Sequence, residues 1–365
     1  MNNTKKVLLS MSGGIDSTVA AILLLRQGYD VVGVTYRTWD SVSQGCFEKE
    51  KGCCTINAIM EAKKMAQQMG FPHHFLDIRQ EFRDSVIKNF IDEYLAGRTP
   101  NPCVVCNAEI KWGEVLKLAD RLGCDYIATG HYAQIQKIDE KYYLKKGVDT
   151  HKDQTYFLWR LPQSVLKRTL FPLGELTKQE VRKIAFDAGY EKLSRKAESQ
   201  EICFIPDNDY REFLRKEAPE YHTICKEGNF VDASGKVLGQ HKGYPNYTVG
   251  QRKRLGIALG HPVFVSKINP NTNEIVLADR EHLLTKTVIA SDCIFVDRDS
   301  LHNGIEVEAR IRYKSPATKA TISFDDNIDK NRVNVIFKDD VWAVASGQSI
   351  VFYKNDLIVG GGVIE

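Results

Sequence analysis

The sequence predicts an α/β domain built on a parallel sheet, followed by a small mostly-β connecting domain and a C-terminal β-barrel or sandwich. Three observations carry this. Apolar, strand-like runs alternate with helical stretches up to about residue 205, the pattern of successive β-α-β units. Beyond that point, short alternating runs are split by Gly, Asn-Asp and Pro turns, which is the texture of β structure. At 365 residues the chain also exceeds what one ordinary core fills, so two or three domains are expected. The expected divisions are residues 1–205, 206–280 and 281–365.

KVLLSM (6–11) reads as a buried strand, and DSTVAAILLLRQG reads as a helix closed by Gly28, followed by the strand VVGVTY. The unit repeats as CCTINAIMEAKKMAQQMG before HHFLDI, and as NAEIKWGEVLKLADRLG before CDYIATG. DYREFLRKEA supplies one more helix. FVDASGKVLGQHKGYPNYTVGQRKRLG, VFVSKINPNTNEIVLAD and the chain from Lys286 onward then read as strands and turns. A parallel sheet places ligands at the carboxyl ends of its strands.

Composition narrows the class. The opening MNNTKKVLLSMSGG holds only a short apolar run, and no later run approaches the ~20 residues of a bilayer helix. A soluble cytoplasmic protein is expected, with no membrane partner. Its nine cysteines are then reduced thiols by default, available for catalysis, metal binding or packing. With 50 basic and 47 acidic residues, net charge neither announces nor excludes a nucleic acid.

The first strand-to-helix turn is SMSGGIDST, residues 10–18. Gly13 and Gly14 allow close backbone approach, and a helix starting near Asp16 or Ser17 offers unpaired N–H groups and positive dipole to an anion. The GxxxxGK[ST] spacing and its lysine are missing, so this is not the usual NTPase loop. Asp16 fits beside phosphates if Mg²⁺ bridges them; a plain tight turn with a helix cap fits the same residues. Further on, TPNPCVVCN (99–107) sets Cys103 and Cys106 three apart. That spacing suits a metal site, a redox pair or a nucleophile equally.

SGGIDS resembles the SGGxDS signature of the PP-loop ATP pyrophosphatases, whose catalytic domain is adenine nucleotide alpha hydrolase-like, and ATGHYA (128–133) supports it. GRTPNPCVVCNAEIKW, ESQEICFIPD, THKDQTYFLW, YTVGQRKRLGI and RIRYKSP resemble, in order, segments of the tRNA-specific 2-thiouridylases of the MnmA type. The resemblance implies catalytic cysteines at Cys106 and Cys203. It implies ATP on Ser10, Met11, Ser12, Gly13, Gly14, Ile15, Asp16 and Ser17, with Tyr36 and Gly130 beside them and Mg²⁺ at Asp16. It places the target base at Asn101, Pro102 and Cys103, and tRNA at Lys152, Asp153, Gln154, Arg312 and Tyr313. RIRYK and the basic run Arg252, Lys253 and Arg254 would otherwise read as solvated surface.

The implied reaction adenylates the C2 oxygen of the wobble uridine. Sulfur then reaches C2 from a persulfide on Cys203, charged by a cysteine desulfurase or sulfur-carrier protein, either by direct attack of the persulfide or as hydrosulfide freed when Cys106 attacks it, and a Cys106–Cys203 disulfide remains. The chain departs from the family at Cys103, where Asp is common, so an alternative is a [4Fe–4S] cluster on Cys103, Cys106 and Cys203. An amide-forming PP-loop synthetase and an RNA-binding protein with a degenerate loop are further alternatives. Cys46, Cys53 and Cys54 read as incidental thiols in a charged loop, or as a metal or sulfur relay site.

Overall fold

A computed structural model describes residues 4–39, 56–195, 202–205, 209–324 and 331–365. The chain forms two compact units. One comprises Met1–Val86, Cys103–Asn208 and Asp356–Ile358; the other comprises Ile87–Pro102, Asp209–Asn355 and Val359–Glu365. The expected parallel α/β domain, small mostly-β part and C-terminal barrel are all present.

In the first unit, strands β1 (Lys6–Ser10), β2 (Asp30–Arg37), β3 (His73–Asp77), β4 (Tyr126–Ala128) and β7 (Thr169–Leu170) form a sheet in the order β3-β2-β1-β4-β7. Every neighbouring pair is parallel. Helix α1 (Ile15–Arg26) links β1 to β2, and α2 (Ile56–Met69) precedes β3. Short helix α3 (Arg79–Phe82) follows β3, and α4 (Val115–Arg121) leads into β4. A hairpin of β5 (Ala133–Ile138) and β6 (Lys141–Lys146) follows β4, and α5 (Lys178–Asp187) comes after β7. The segment IDSTVAAILLLR is apolar around most of its circumference, the pattern of a helix that is covered on most sides. It packs Val19, Ala20 and Leu24 with Val7, Leu9 and Val31 of the sheet, Ala62 and Ala66 of α2, and Val181 and Ala185 of α5. Leu8, which points to the opposite face from Val7 and Leu9, is also fully buried. Both faces of the sheet are therefore covered, as parallel sheets require.

The helix expected from Asn107 begins earlier. Pro102 opens it, as suits a residue without an N–H to leave unsatisfied. It runs through Pro102–Val105, continues as wide i→i+5 turns over Cys106–Glu114, and resumes α geometry in α4. Cys103 and Cys106 thus lie one helical turn apart.

In the second unit, β8 (Gly228–Val231), β9 (Val237–His241), β10 (Phe264–Asn269) and β11 (Glu274–Ala278) form a sheet in the order β10-β11-β8-β9. Its core is Phe230, Tyr247, Val265, Ile275 and Leu277. Helix α6 (Tyr210–Glu217) precedes it in sequence. The barrel strands are β12 (Leu284–Phe295), β13 (Ile305–Arg310), β14 (Thr318–Phe324), β15 (Val333–Trp342), β16 (Ser349–Lys354) and β17 (Leu357–Ile364). They run in the order β12-β15-β14-β13-β16-β17, and β17 returns to β12 to close the ring. Closure leaves no unpaired edge, and alternate residues such as Ile322, Val335, Phe337, Ile350 and Phe352 fill the interior. Arg310 ends β13, and the rest of RIRYKSP (311–316) forms the turn that follows it. No helix among the described residues is long and apolar enough to cross a membrane.

Candidate nucleotide and thiol site

The carboxyl edge of the first sheet is built from the ends of three strands. Ser10 closes β1 opposite Val34, Tyr36 stands half-buried two residues further along β2, and Gly130 follows the end of β4. Between β1 and α1 the chain turns through Met11, Ser12, Gly13 and Gly14. Gly13 has φ +69°, and a Cβ there would sit 2.7 Å from the Ala58 carbonyl oxygen, so only glycine fits without movement. Gly14 caps α1 in extended geometry with no side-chain cap. Ser17 Oγ donates to Gly14 O (3.1 Å) and accepts from the Ser12 N–H (3.3 Å), which keeps the turn closed. The Ser10 hydroxyl is buried with no hydrogen-bond partner among the described residues.

The loop is pinned from β2. Met11 N–H donates to Val34 O at 2.8 Å, and Met11 O accepts from Thr35 Oγ1 at 2.8 Å. Thr35 has spent its one proton on Met11, so the 2.8 Å contact with His73 Nε2 assigns that ring nitrogen as the donor. Burial, then the neighbouring His74 and Lys63, lower the His73 pKa to about 4.

Asp16, in the first turn of α1, receives two donors on one oxygen. Tyr132 OH lies 2.8 Å and Lys178 Nζ 2.7 Å from Oδ1. Both donors are anchored in residues 149–154. Gln154 Oε1 accepts from Tyr132 N–H and Gln154 N–H donates to Tyr132 O, each at 3.0 Å. Asp149 Oδ2 accepts from Lys178 N–H at 2.9 Å, while its Oδ1 accepts from the N–H groups of His151 and Lys152 at 3.1 and 3.2 Å. The reciprocal Thr177–Glu180 capping box fixes the start of α5. One carboxylate beside a phosphate loop suits Mg²⁺, which is usually held by one or two carboxylates together with substrate phosphates and water. Asp16 Oδ2, which takes no hydrogen bond among the described residues, is the atom that fits.

The thiols occupy the neighbouring elements. Cys103 is exposed and Cys106 half-buried. Although open to solvent at its surface, Cys103 is enclosed at longer range by enough protein that desolvation pushes its thiol pKa up, against the Lys111 ammonium. The same two influences, burial first and then Lys111, hold His131 neutral far below its ordinary range. His131 Nδ1 lies 2.7 Å from Thr129 Oγ1, and its ring contacts Trp112. Asn107, buried beside Cys106, donates from Nδ2 to Phe157 O at 2.9 Å; its Oδ1 has no partner among the described residues. Cys203 is exposed, but its neighbour Phe204 is buried edge-to-face on Phe82, with ring centroids 5.6 Å apart. Phe82 ends α3, which packs against the Cys106–Glu114 segment. One short helix therefore gathers both cysteine-bearing segments. Among the described residues no group of three His, Cys, Asp or Glu side chains is arranged to hold a metal. Cys103, Cys106 and Cys203 therefore do not form a ready ligand set for a cluster. Cys46, Cys53 and Cys54 lie outside the described residues.

The other expected contacts are dispersed. Lys152 is half-buried, whereas Asp153 is buried and its carboxylate accepts from Thr155 Oγ1 at 2.9 Å and Gly147 N–H at 3.3 Å. Gln154 is committed to Tyr132. In the second unit, Asn101 is half-buried and Pro102 buried; Arg312 donates to the carbonyls of Val249 and Ala343, and Tyr313 is half-buried beside it. Arg252, Lys253 and Arg254 are exposed in a turn. Lys178, Tyr132 and His73 were not among the expected site residues. Tyr132 stands inside ATGHYA, and Lys178 follows the capping threonine of LTKQE, so proximity to those motifs was the available signal.

Three family models match in series: a tRNA methyl transferase HUP domain over residues 5–207, a tRNA methyl transferase PRC-barrel domain over 212–279, and an aminomethyltransferase beta-barrel domain over 285–364. Among solved structures, a 4-thiouridine synthetase–RNA complex with bound ATP is 20% identical, with TM-score 0.35, covering 60% of this chain and 52% of that one. Among curated proteins, the chain is 48% identical to a tRNA-specific 2-thiouridylase MnmA of Amoebophilus asiaticus, covering 99% of this chain and 95% of that protein. It is likewise 48% identical to one of Clostridium botulinum, covering 99% of both. At that identity over almost its whole length, the chain belongs to the tRNA-specific 2-thiouridylase family.

Proposed function

We propose that the chain is an ATP-dependent tRNA-uridine 2-sulfurtransferase of the cytoplasm. What supports this most is near-50% identity, along the full chain, to proteins named tRNA-specific 2-thiouridylase. The site chemistry agrees with it. ATP sits on residues 10–17, its phosphates against the first turn of α1, with Tyr36 and Gly130 beside it, and Asp16 is the residue that would hold Mg²⁺. The ion, when bound, would supply charge neutralisation for the phosphates. The C2 oxygen of the wobble uridine attacks the α-phosphorus and pyrophosphate departs. The oxygen, now esterified, leaves later as part of AMP.

Sulfur arrives as a persulfide on Cys203, delivered by a cysteine desulfurase or sulfur carrier. Its terminal sulfur bonds to C2 as the C2–O bond breaks, and the Cys106 thiolate attacks Cys203 Sγ, cleaving the S–S bond. The product is 2-thiouridine, and the two cysteines are left as a disulfide that an external thiol must reduce. Asn101, Pro102 and Cys103 line the base, while Lys152 and Arg312 with Tyr313 meet tRNA. A cluster on Cys103, Cys106 and Cys203 is the lesser reading, because the three side chains are not arranged as ligands.

The matched models' descriptions name methyl transfer, so the test must separate the two chemistries. Unmodified tRNA is incubated with the chain, ATP, Mg²⁺ and a persulfide donor, and its nucleosides are analysed by mass spectrometry. ATP-dependent 2-thiouridine is the expected product. A methylated nucleoside, or none, overturns the proposal.

A further inference from the structure

Lys178 is only 8% exposed, on the first turn of α5, with its ammonium 2.7 Å from Asp16 Oδ1. A lysine loses favourable hydration when buried and needs an opposite charge in good hydrogen-bond geometry to offset it. The compensation also acts on Asp16. Alone, that carboxylate would stand in the first turn of α1, where the helix's positive end attracts anions, and would repel a polyphosphate competing for the same place. With Lys178 beside it the pair is neutral. Because Tyr132 shares Oδ1, the carboxylate is held by one oxygen and keeps its orientation.

The holding groups are themselves fixed. Lys178 is tied through its backbone N–H to Asp149, and Tyr132 through both backbone groups to Gln154. The ammonium thus approaches Asp16 from a rigid helix start and not from a mobile surface. We propose that Lys178 is a positioning residue of the nucleotide site: it neutralises and orients Asp16 so that the loop accepts a nucleoside triphosphate, and it touches no phosphate itself. This rests on the ATP reading of the loop given above.

The experiment is equilibrium binding of ATP to the full chain, with a chelator and separately with Mg²⁺. Lys178→Met should weaken metal-free ATP binding about tenfold, the scale of one unneutralised neighbouring charge. Lys178→Arg should retain most of the affinity. Adding Asp16→Asn to Lys178→Met should restore it, because the repelling charge is gone. A double variant as weak as Lys178→Met means that Lys178 binds phosphate directly, and the proposal is overturned. Asp16→Asn alone should bind metal-free ATP at least as tightly as wild type; weaker binding overturns the proposal even if no Lys178 variant folds. Wild-type binding that appears only with Mg²⁺ overturns this assignment alone, whereas no binding in either condition overturns the ATP reading with it.

Discussion

Gly130 faces Asp16 so closely that a Cβ on it would lie 2.9 Å from the Asp16 carbonyl carbon and 3.0 Å from the Ser17 nitrogen. Both neighbours are backbone in the first turn of α1, so they cannot swing aside as a side chain could. Gly130→Ala should displace the start of α1 and raise the KM for ATP at least tenfold, roughly the cost of an ångström-scale misplacement. Binding of tRNA should persist. Steady-state pyrophosphate release against ATP concentration checks it, and an unchanged KM would remove Gly130 from the nucleotide site.

The thiols give a second test. Cys106→Ser and Cys203→Ser should each abolish 2-thiouridine formation, because a persulfide relay needs both sulfurs. Cys103→Asp should retain much of the activity. A cluster predicts the reverse: wild type active only after anaerobic reconstitution with iron, and Cys103→Asp inactive throughout. Assaying both proteins with and without reconstitution decides between them.

His73 makes stability fall in mild acid. Its folded pKa of about 4 lies below the ordinary 6.5, so the unfolded chain takes up the proton first. Stability is full above about pH 6.5 and declines as pH drops toward 4, by on the order of 2 kcal/mol after allowing for the ring's partial exposure. His73→Asn should flatten that limb in denaturant titrations run from pH 7 to pH 4. An unaltered slope would show that His73 titrates normally.

Replacing Lys152 or Arg312 with Ala should in each case weaken tRNA binding. Each lost phosphate contact should flatten the log–log salt dependence of tRNA binding by ~0.7 to 0.9. Arg312 also holds the Val249 and Ala343 carbonyls, so its loss should cost a further ~1.5 to 3 kcal/mol of stability. A melting temperature for Arg312→Ala equal to that of wild type would contradict the structural part of this forecast.

Much of the architecture was legible because local signals agreed with the fold. The run KVLLS, the near-uniform apolarity of α1 and the turn-split strands after residue 205 each admit few structural solutions. The first helical turn around Cys103 was missed because PNPC reads as a breaker, although a proline tolerated at the first helical position starts a helix as readily as it ends one. Lys178 and Tyr132 reach Asp16 from positions 162 and 116 residues away, and no local period or spacing encodes such a meeting. Asp153 and Gln154 show the converse limit: polar residues beside a lysine suggest a wet surface, yet one is buried and the other braces Tyr132.

The wide turns between Cys106 and Glu114 carry a consequence for chain length. In an α-helix each residue advances the spiral by ~100°, and an i→i+5 stretch accommodates one more residue than the same span of ordinary helix would. Cys103 and Cys106 lie on the upstream side of that stretch, while α4 leads into β4 on the downstream side. Excising a single residue from 107–114 would let the segment relax to regular winding over the same span, so both sulfurs would keep nearly their present direction. The same excision in an ordinary helix would turn everything upstream by ~100°: the wide stretch is the one place in this helix where a residue can be lost without re-aiming the thiols.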